Sequence, residues 1–350
     1  MGLLIQKKDI EYVNAVDVFK LLFSLCIVGI HTSVLSAFSG DVEWYVMHLV
    51  FRLAVPYFFI ASAFFYGVKI YRDENNKEHR RSVCRDYIRR NIYYFLFWGG
   101  IGLIYYILLM VHGGERTASI VLKTIQTAVF YPKDAMWYLG ACFLAVVVIT
   151  KLWEYNKLIV LISCLGYIWA LLCTSYYYLI DNTLLGLIVN KYMDVFISAR
   201  NGFGVGLIYM YLGIMLAKKD NIIKKMSTTK LILFFSFMYI ILMIEVWNCK
   251  GETVLDDSSC FIVLPIVALL LFELTMRLKL PIDNKKSIEI RKLSGDIFFL
   301  HPAIISYVGV IAFKVIRNYV YRYLFVAIIC ISIWFLTRKI NNKYLRMILP

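Results

Sequence analysis

Ten long apolar stretches, separated by short polar segments, divide this chain. They run near 13–36, 46–68, 91–111, 135–150, 158–180, 199–217, 231–248, 259–277, 294–313 and 319–337. An α-helix needs roughly 20 mainly apolar residues to cross the hydrocarbon core of a bilayer, and the run at 135–150 is the shortest of the set. In lipid the backbone must satisfy its own hydrogen bonds, and a helix does so within one segment. The pattern predicts an all-α integral membrane protein of about ten transmembrane helices. The longest connecting segments, 69–90 and 112–134, are too short to hold an appended soluble domain. Residues 1–350 therefore read as a single membrane domain.

Composition agrees with the pattern. With 61% apolar residues, 16% aromatic residues and a mean hydropathy of +0.70, the chain lies outside the soluble range. The net charge of +15 raises the question of a nucleic-acid partner, and the distribution of charge answers it. With the N-terminus inside, the inner segments hold 27 of the 38 Lys and Arg and the outer segments hold eight. Lys20, Arg52 and Arg200 fall within or at the edge of runs. That asymmetry is the positive-inside signal, with both termini cytoplasmic. The excess charge is topological, so the expected partner is the lipid bilayer and no nucleic acid. Lys7 and Lys8 precede an apolar stretch that ends near a small-residue site at Ala37–Ser39, as in a signal peptide. Asp17 and Lys20 interrupt that stretch, however, and its length suits a retained span.

None of the eight cysteines forms a CxxC pair or a zinc spacing, so no metal is expected. Most read as small buried hydrophobes. Cys249 and Cys260 bracket an outer loop, and either a disulfide or two free thiols fits that spacing.

Ionisable residues inside a span are expensive, at least about 2.5–3.5 kcal/mol each by insertion scales, and so mark candidate sites. The first run carries Asp17, Lys20 and His31 on one face, with Lys20 and His31 roughly 16 Å apart along a helix axis. Topology then sorts the polar residues by depth. His31, His48, Arg52, Arg200 and Glu245 form an outer group, with His48 and Arg52 one turn apart. Asp17, Lys20, Asp296, His301 and Glu273 form an inner group. Each has a structural alternative: interfacial placement for Arg200, Glu245 and His48, pairing with Arg277 one turn away for Glu273, and an ion pair with Asp17 for Lys20. A histidine near the outer end of a span has the chemistry to take a proton from a hydroxyl nucleophile. A guanidinium beside it has the chemistry to hold an anion or oxyanion. The same two tiers also suit a path for a small zwitterion.

Several segments resemble the type-3 membrane acyltransferase family. They are the basic residue eleven positions before His31, FRLAVPYFFIASAFF (51–65), DAMWYLGACF (134–143), SARNGFGVGLIYMYLG (198–213) and FLHPAI (299–304). The resemblance runs over essentially the whole chain. It implies transfer of an acyl group, usually acetyl, from cytoplasmic acyl-coenzyme A to an extracytoplasmic hydroxyl, with cell-envelope glycans as typical acceptors. It also implies a multi-pass protein of the bacterial cell membrane and His31 as the essential histidine. The family's usual arginine is Lys20 here, which keeps the charge and loses the bidentate fork. The usual Ser-Gly-Tyr appears as Ser62-Ala63-Phe64. These departures, with DVFK, ARNG and the run at 256–272, bring the chain nearest to a branch that includes the membrane domain of vancomycin-resistance serine racemases. Those proteins continue into a cytoplasmic racemase where this chain stops at Pro350, so no racemase activity is expected of it.

The resulting expectation is a membrane acyltransferase with His31 as general base and Arg52 orienting acceptor or oxyanion. Acetyl-coenzyme A or another acyl-coenzyme A is the donor substrate, held by Lys20, Asp17 and His301. Arg200, Asn201, Glu245 and Tyr138 are the candidates for acceptor binding, although an aromatic belt at the membrane interface competes for Tyr138 and Trp137. A homo-oligomer stays open. The alternative function is import of L-serine or a similar small amino acid, with Arg52 and Arg200 meeting its carboxylate.

Overall fold

The computed structural model describes residues 13–132, 135–340 and 349. Among these residues the chain is helical and contains no strand. In order, the helices are α1 (Asn14–His31), α2 (Gly40–Leu49), α3 (Ala54–Ile70), α4 (Lys77–His112), α5 (Thr117–Phe130), α6 (Met136–Lys151), α7 (Asn156–Cys173), α8 (Leu184–Phe196), α9 (Leu207–Ala217), α10 (Ile222–Lys225), α11 (Thr228–Asn248), α12 (Leu264–Arg277), α13 (Asn284–Ala303), α14 (Val310–Val315) and α15 (Tyr319–Lys339). Seven stretches are long and apolar enough to cross a membrane: α1, α2 with α3, α4, α7, α11, α13 with α14, and α15. Three shorter apolar helices are α5, α6 and the stretch Gly202–Ala217. Multiple spans of this kind define a multi-pass membrane protein.

Polar residues at the ends of the runs start the helices. Asn76 accepts from the Glu78 and His79 N–H groups at 3.0 and 3.1 Å to cap α4, and Asp283 accepts from Lys286 N–H at 2.8 Å to cap α13. Each cap satisfies donors that would otherwise be orphaned in the first turn. Both helices begin well before the apolar runs they carry, because the basic segments at 77–90 and 284–292 are themselves helical. The helices α5 and α8 lie in segments that the run pattern treats as connections between spans.

Without water to drive association, helices in lipid approach most closely where side chains are smallest. The crossing of α3 and α9 is such a place. A Cβ on Gly213 would lie 2.6 Å from the Ile60 carbonyl oxygen, and one on Gly67 would lie 2.8 Å from the Ala217 Cβ. The two glycines face the partner helix from opposite sides, so α3 and α9 touch backbone to backbone. α1 packs against both α3 and α13.

Three of these elements are irregular where they meet. The run at 46–68 breaks between α2 and α3 into a 3-10 turn, Phe51–Leu53, just before Pro56 in the first turn of α3. Gly202–Gly206 and Ile304–Gly309 are π-helical turns. The second follows Pro302, whose ring removes a backbone donor from the helix interior. Local π turns inside helices recur at functional sites, where they re-aim the residues beside them.

Candidate functional site

A cavity of about 260 Å³ opens where α1 ends. His31, the last residue of α1, forms part of its wall, with Ile27 and Ile30 from the same helix. The 3-10 turn contributes Phe51 and Arg52, α3 contributes Pro56 and Phe59, and α6 contributes Trp137 and Tyr138. Arg200, Ser259, Cys260 and Phe298 complete the polar mouth and the apolar floor. Aromatic walls around a few convergent polar groups are the usual form of a small-molecule site.

His31 is exposed to the cavity, and its ring makes no hydrogen bond within the described residues. Its neighbour is His301, with ring centroids 5.2 Å apart. His301 is fully buried; its Nδ1 lies 2.9 Å from the Ile297 carbonyl oxygen and its Nε2 has no partner among the described residues.

The mouth holds an ionic cluster. Arg52 Nη2 donates to Asp257 Oδ2 at 2.9 Å, and Arg200 Nη1 reaches the same oxygen at 3.0 Å. Arg200 Nη2 also meets Asp256 Oδ1 at 3.2 Å, and Ser198 Oγ donates to Asp256 Oδ2 at 2.6 Å. The Arg200 guanidinium lies over the rings of Tyr131 and Trp137, at 5.7 and 5.8 Å. Burial works to raise the Asp257 carboxyl, but Arg52 and then Arg200 pull it below the ordinary carboxylate range. At Asp256 burial prevails over the attraction of Arg200, and its carboxyl is pushed up.

The structure brings together His31, Arg52, Arg200 and Tyr138 from the sequence candidates, and adds His301 from the other tier. His301 does not share a level with Lys20. Because α13 begins at Asn284 and not near 294, His301 has climbed to the depth of His31. Tyr138 lines the cavity and donates its hydroxyl to the Phe58 carbonyl at 3.0 Å, and Trp137 lines it as well.

Other candidates lie elsewhere. Asp17 accepts from Ser287 Oγ at 2.6 Å and forms no ion pair with Lys20; the half-buried Lys20 ammonium instead lies 5.4 Å over the Phe65 ring. Asn201 is turned to the backbone: its Oδ1 accepts from the Phe203 and Gly204 N–H groups at 3.0 Å each and caps the first π turn, while its Nδ2 donates to the Tyr192 hydroxyl at 2.8 Å. Glu245 caps the start of α12, accepting from the Ile262 and Val263 N–H groups and from the Tyr176 hydroxyl. His48 is separated from Arg52 by the break before Pro56 and packs on Trp44, ring centroids 3.9 Å apart. Glu273 pairs with Arg277 at 2.9 Å, as the one-turn spacing predicts. Cys249 and Cys260 are both free thiols.

Asp256, Asp257 and Tyr131 are the residues of the site that sequence reasoning missed. A signal was available: Asp256 and Asp257 sit in the outer loop, at the level assigned to Arg52 and Arg200.

Fold and site together define a multi-pass helical membrane protein with a histidine-bearing cavity enclosed among its spans. The chain belongs to the type-3 acyltransferase family: residues 13–339 match the family model described as an acyltransferase domain. Curated relatives include two proteins named amino-acid racemase from Enterococcus faecalis. One is 23% identical over 325 residues, covering 90% of this chain and 44% of that protein. The other is 26% identical over 235 residues, covering 65% and 31%. A serine/alanine racemase from Enterococcus gallinarum is 23% identical over 339 residues, covering 95% of this chain and 47% of that protein. The chain thus spans less than half the length of each of these relatives. No solved structure matches it.

Proposed function

We propose that this protein moves an acetyl or other short acyl group from cytoplasmic acyl-coenzyme A to a hydroxyl of an extracytoplasmic cell-envelope glycan. The observation that carries the reading is His31, an imidazole on the cavity wall with no hydrogen bond among the described residues, in a chain that belongs to an acyltransferase family. In this reading His31 takes the proton of the acceptor hydroxyl, and the acceptor oxygen forms a bond to the thioester carbonyl carbon. The carbon–sulfur bond then breaks, and the coenzyme A thiolate leaves with the proton returned by His31. Arg52 gives one Nη2 donor to Asp257 and lines the cavity, so in this reading its guanidinium stands beside the developing oxyanion as the stabilising cation. Lys20, on the same helix face below His31, would meet the donor's phosphates as a point charge.

The same reading takes the fold as one membrane domain of ten spans in a bacterial cell membrane, with both ends cytoplasmic. The ten are α1, α2 with α3, α4, α6, α7, Gly202–Ala217, α11, α12, α13 with α14, and α15. The excess of Lys and Arg on the inner segments supports that orientation.

The test is thioester cleavage by the protein in liposomes, with acetyl-coenzyme A supplied on the cytoplasmic face and cell-wall glycan on the other. Release of free thiol should require the acceptor. His31→Ala should lower kcat by about 10²–10⁴-fold, the usual worth of a general base. Lys20→Ala should weaken acetyl-coenzyme A binding. Folded wild-type protein that neither binds acetyl-coenzyme A at millimolar concentration nor releases thiol would overturn the proposal. The names of the racemase relatives favour a small amino acid as the competing substrate, to be imported and not acylated. Arg52 and Arg200 are already paired with Asp257 and Asp256, so a substrate carboxylate would have to displace an aspartate. Serine uptake that needs no coenzyme A would support that second reading.

A further inference from the structure

We infer that His301 is a positioning residue for His31: its buried Nε2 accepts the N–H of the His31 ring and so fixes which His31 nitrogen offers a lone pair to the acceptor hydroxyl. The inference rests on the acyl-transfer reading for its catalytic consequence, but not for the contact itself.

Three observations lead to it. First, the protonation pattern of His301 is set locally. A carbonyl oxygen only accepts, so the 2.9 Å contact with Ile297 places a hydrogen on His301 Nδ1. No carboxylate pairs with this fully buried ring among the described residues, and an isolated imidazolium would be costly there. The ring is therefore neutral, and Nε2 carries the lone pair.

Second, that lone pair is an orphan: Nε2 is inaccessible and has no partner among the described residues. A buried acceptor left unmade costs about 1–3 kcal/mol, so this nitrogen calls for a partner. Third, the group beside it is the one imidazole in the cavity that also lacks a hydrogen bond. Centroids 5.2 Å apart let facing nitrogens of the two rings come within about 3 Å after a ring rotation of His31, which is hydrogen-bond range.

The backbone holds His301 for this task. Pro302 follows it and the π turn Ile304–Gly309 follows that, so the ring sits at the point where α13 departs from regular geometry. The charged groups that act on His31 are Arg200 and Arg52, and both are cations. Neither accepts a hydrogen bond, so His301 is the acceptor available to the His31 ring.

The chemical consequence follows the proton. With one His31 N–H committed to His301 Nε2, the other His31 nitrogen has its lone pair free toward the cavity. It takes the acceptor's proton, His31 becomes imidazolium, and the hydrogen bond to His301 spreads that charge onto a second ring. When the carbon–sulfur bond breaks, the coenzyme A thiolate takes the proton from the cavity-facing nitrogen. His31 is again neutral in its starting tautomer, and His301 has neither gained nor lost a proton. Its role parallels that of any group that orients a catalytic base from behind.

The experiment is magic-angle-spinning NMR of the full chain in liposomes, with all five histidines labelled with ¹⁵N and His31 assigned through His31→Gln. Wild type should show His31 in a single neutral tautomer, with a ¹⁵N–¹⁵N coupling across the hydrogen bond to His301. His301→Phe keeps a flat ring and removes the acceptor, and should give a mixture of His31 tautomers. His301→Gln restores a side-chain acceptor and should restore the single tautomer. In acyl transfer, His301→Phe should lower kcat by about tenfold or more with the KM for acetyl-coenzyme A unchanged, and His301→Gln should recover part of it. A His31 tautomer unchanged by His301→Phe overturns the inference. If that variant does not fold, absence of the coupling in wild type overturns it. A tautomer that responds to His301 in a protein that never releases thiol would keep the histidine contact and sink the acyl-transfer reading alone.

Discussion

Replacing Asp257 by asparagine should destabilise the protein more than replacing either arginine it binds. Asp257 accepts from Arg52 at 2.9 Å and from Arg200 at 3.0 Å, on side chains that are 24%, 17% and 21% exposed. At an effective dielectric of about 20 each contact is worth roughly 4 kcal/mol gross, and desolvation of the three groups takes back a large part of this. Fully exposed pairs retain about 0–1 kcal/mol and deeply buried ones lose about 3–5 kcal/mol when one partner goes. This cluster lies between those limits, so Asp257→Asn should cost about 2–3 kcal/mol. It strands Arg52, which has no other ion pair among the described residues, while Arg200 keeps Asp256 at 3.2 Å. Arg52→Gln should cost less, about 1 kcal/mol, because Asp257 then still has Arg200. The assay is chemical denaturation in detergent, followed by tryptophan fluorescence, for the two single variants and the double variant. Their coupling should be about 1–2 kcal/mol. A coupling of zero, or an Arg52→Gln variant weaker than Asp257→Asn, would refute the geometry of the cluster.

The pH dependence of that difference has a definite sign. The Asp257 carboxyl lies lower in the folded chain than its ordinary value, with burial opposing and Arg52 and Arg200 prevailing. A depressed carboxylate contributes stability that is complete above its unfolded pKa and is lost as the pH falls through the folded one. The gap between wild type and Asp257→Asn should thus be flat from about pH 8 to about pH 5 and close only below about pH 4. A gap that closes near neutral pH would mean that the arginines do not hold this carboxylate.

Other substitutions separate framework from site. Gly213→Val puts a Cβ 2.6 Å from the Ile60 carbonyl oxygen and must part α3 from α9; a loss of about 1–3 kcal/mol or more is expected, read as lower thermal stability in detergent. Asn201→Ala removes the acceptor for two backbone N–H groups and should cost about 1–2 kcal/mol in denaturation, with the KM for acceptor unchanged in the protein that remains folded. Thiol titration of denatured, unreduced protein should count all eight cysteines as free, and a count of six would revive the pairing of Cys249 with Cys260.

The helices were legible because their signal is one-dimensional. Apolar length marks a candidate span whatever it packs against, and among the described residues seven stretches are long and apolar enough to cross a membrane. Two things escaped that reading for physical reasons. α5 and α8 have only 14 and 13 residues, and a span-length hydropathy reading is silent about a helix too short to cross lipid. The break before Pro56 and the early start of α13 shift residues by turns, not by whole elements. The first separated His48 from Arg52, and the second lifted His301 from the tier of Lys20 to that of His31. Depth counted from the edge of an apolar run is only as good as that edge. For α13 the basic segment 284–292 is helical too, and adds about 15 Å at 1.5 Å per residue to the helix before the run begins.

The loop between α11 and α12 shows what depth alone leaves out. Arg52 and Arg200 at one level had read as a ready receptor for an anion, and the presence of two cations near a cavity does suggest one. Asp256 and Asp257 reverse that inference, because two carboxylates meet two guanidiniums and the cluster carries no net charge. A site whose charges are already matched gains little from a free carboxylate. Its unmet hydrogen-bonding capacity lies in the His31 ring on the cavity wall and the His301 Nε2 behind it. In the proposed reading, an imidazole open to the cavity with an orphan acceptor behind it is a pair suited to moving a proton. That is why acyl transfer, and not capture of a charged solute, is the reading the residues support best.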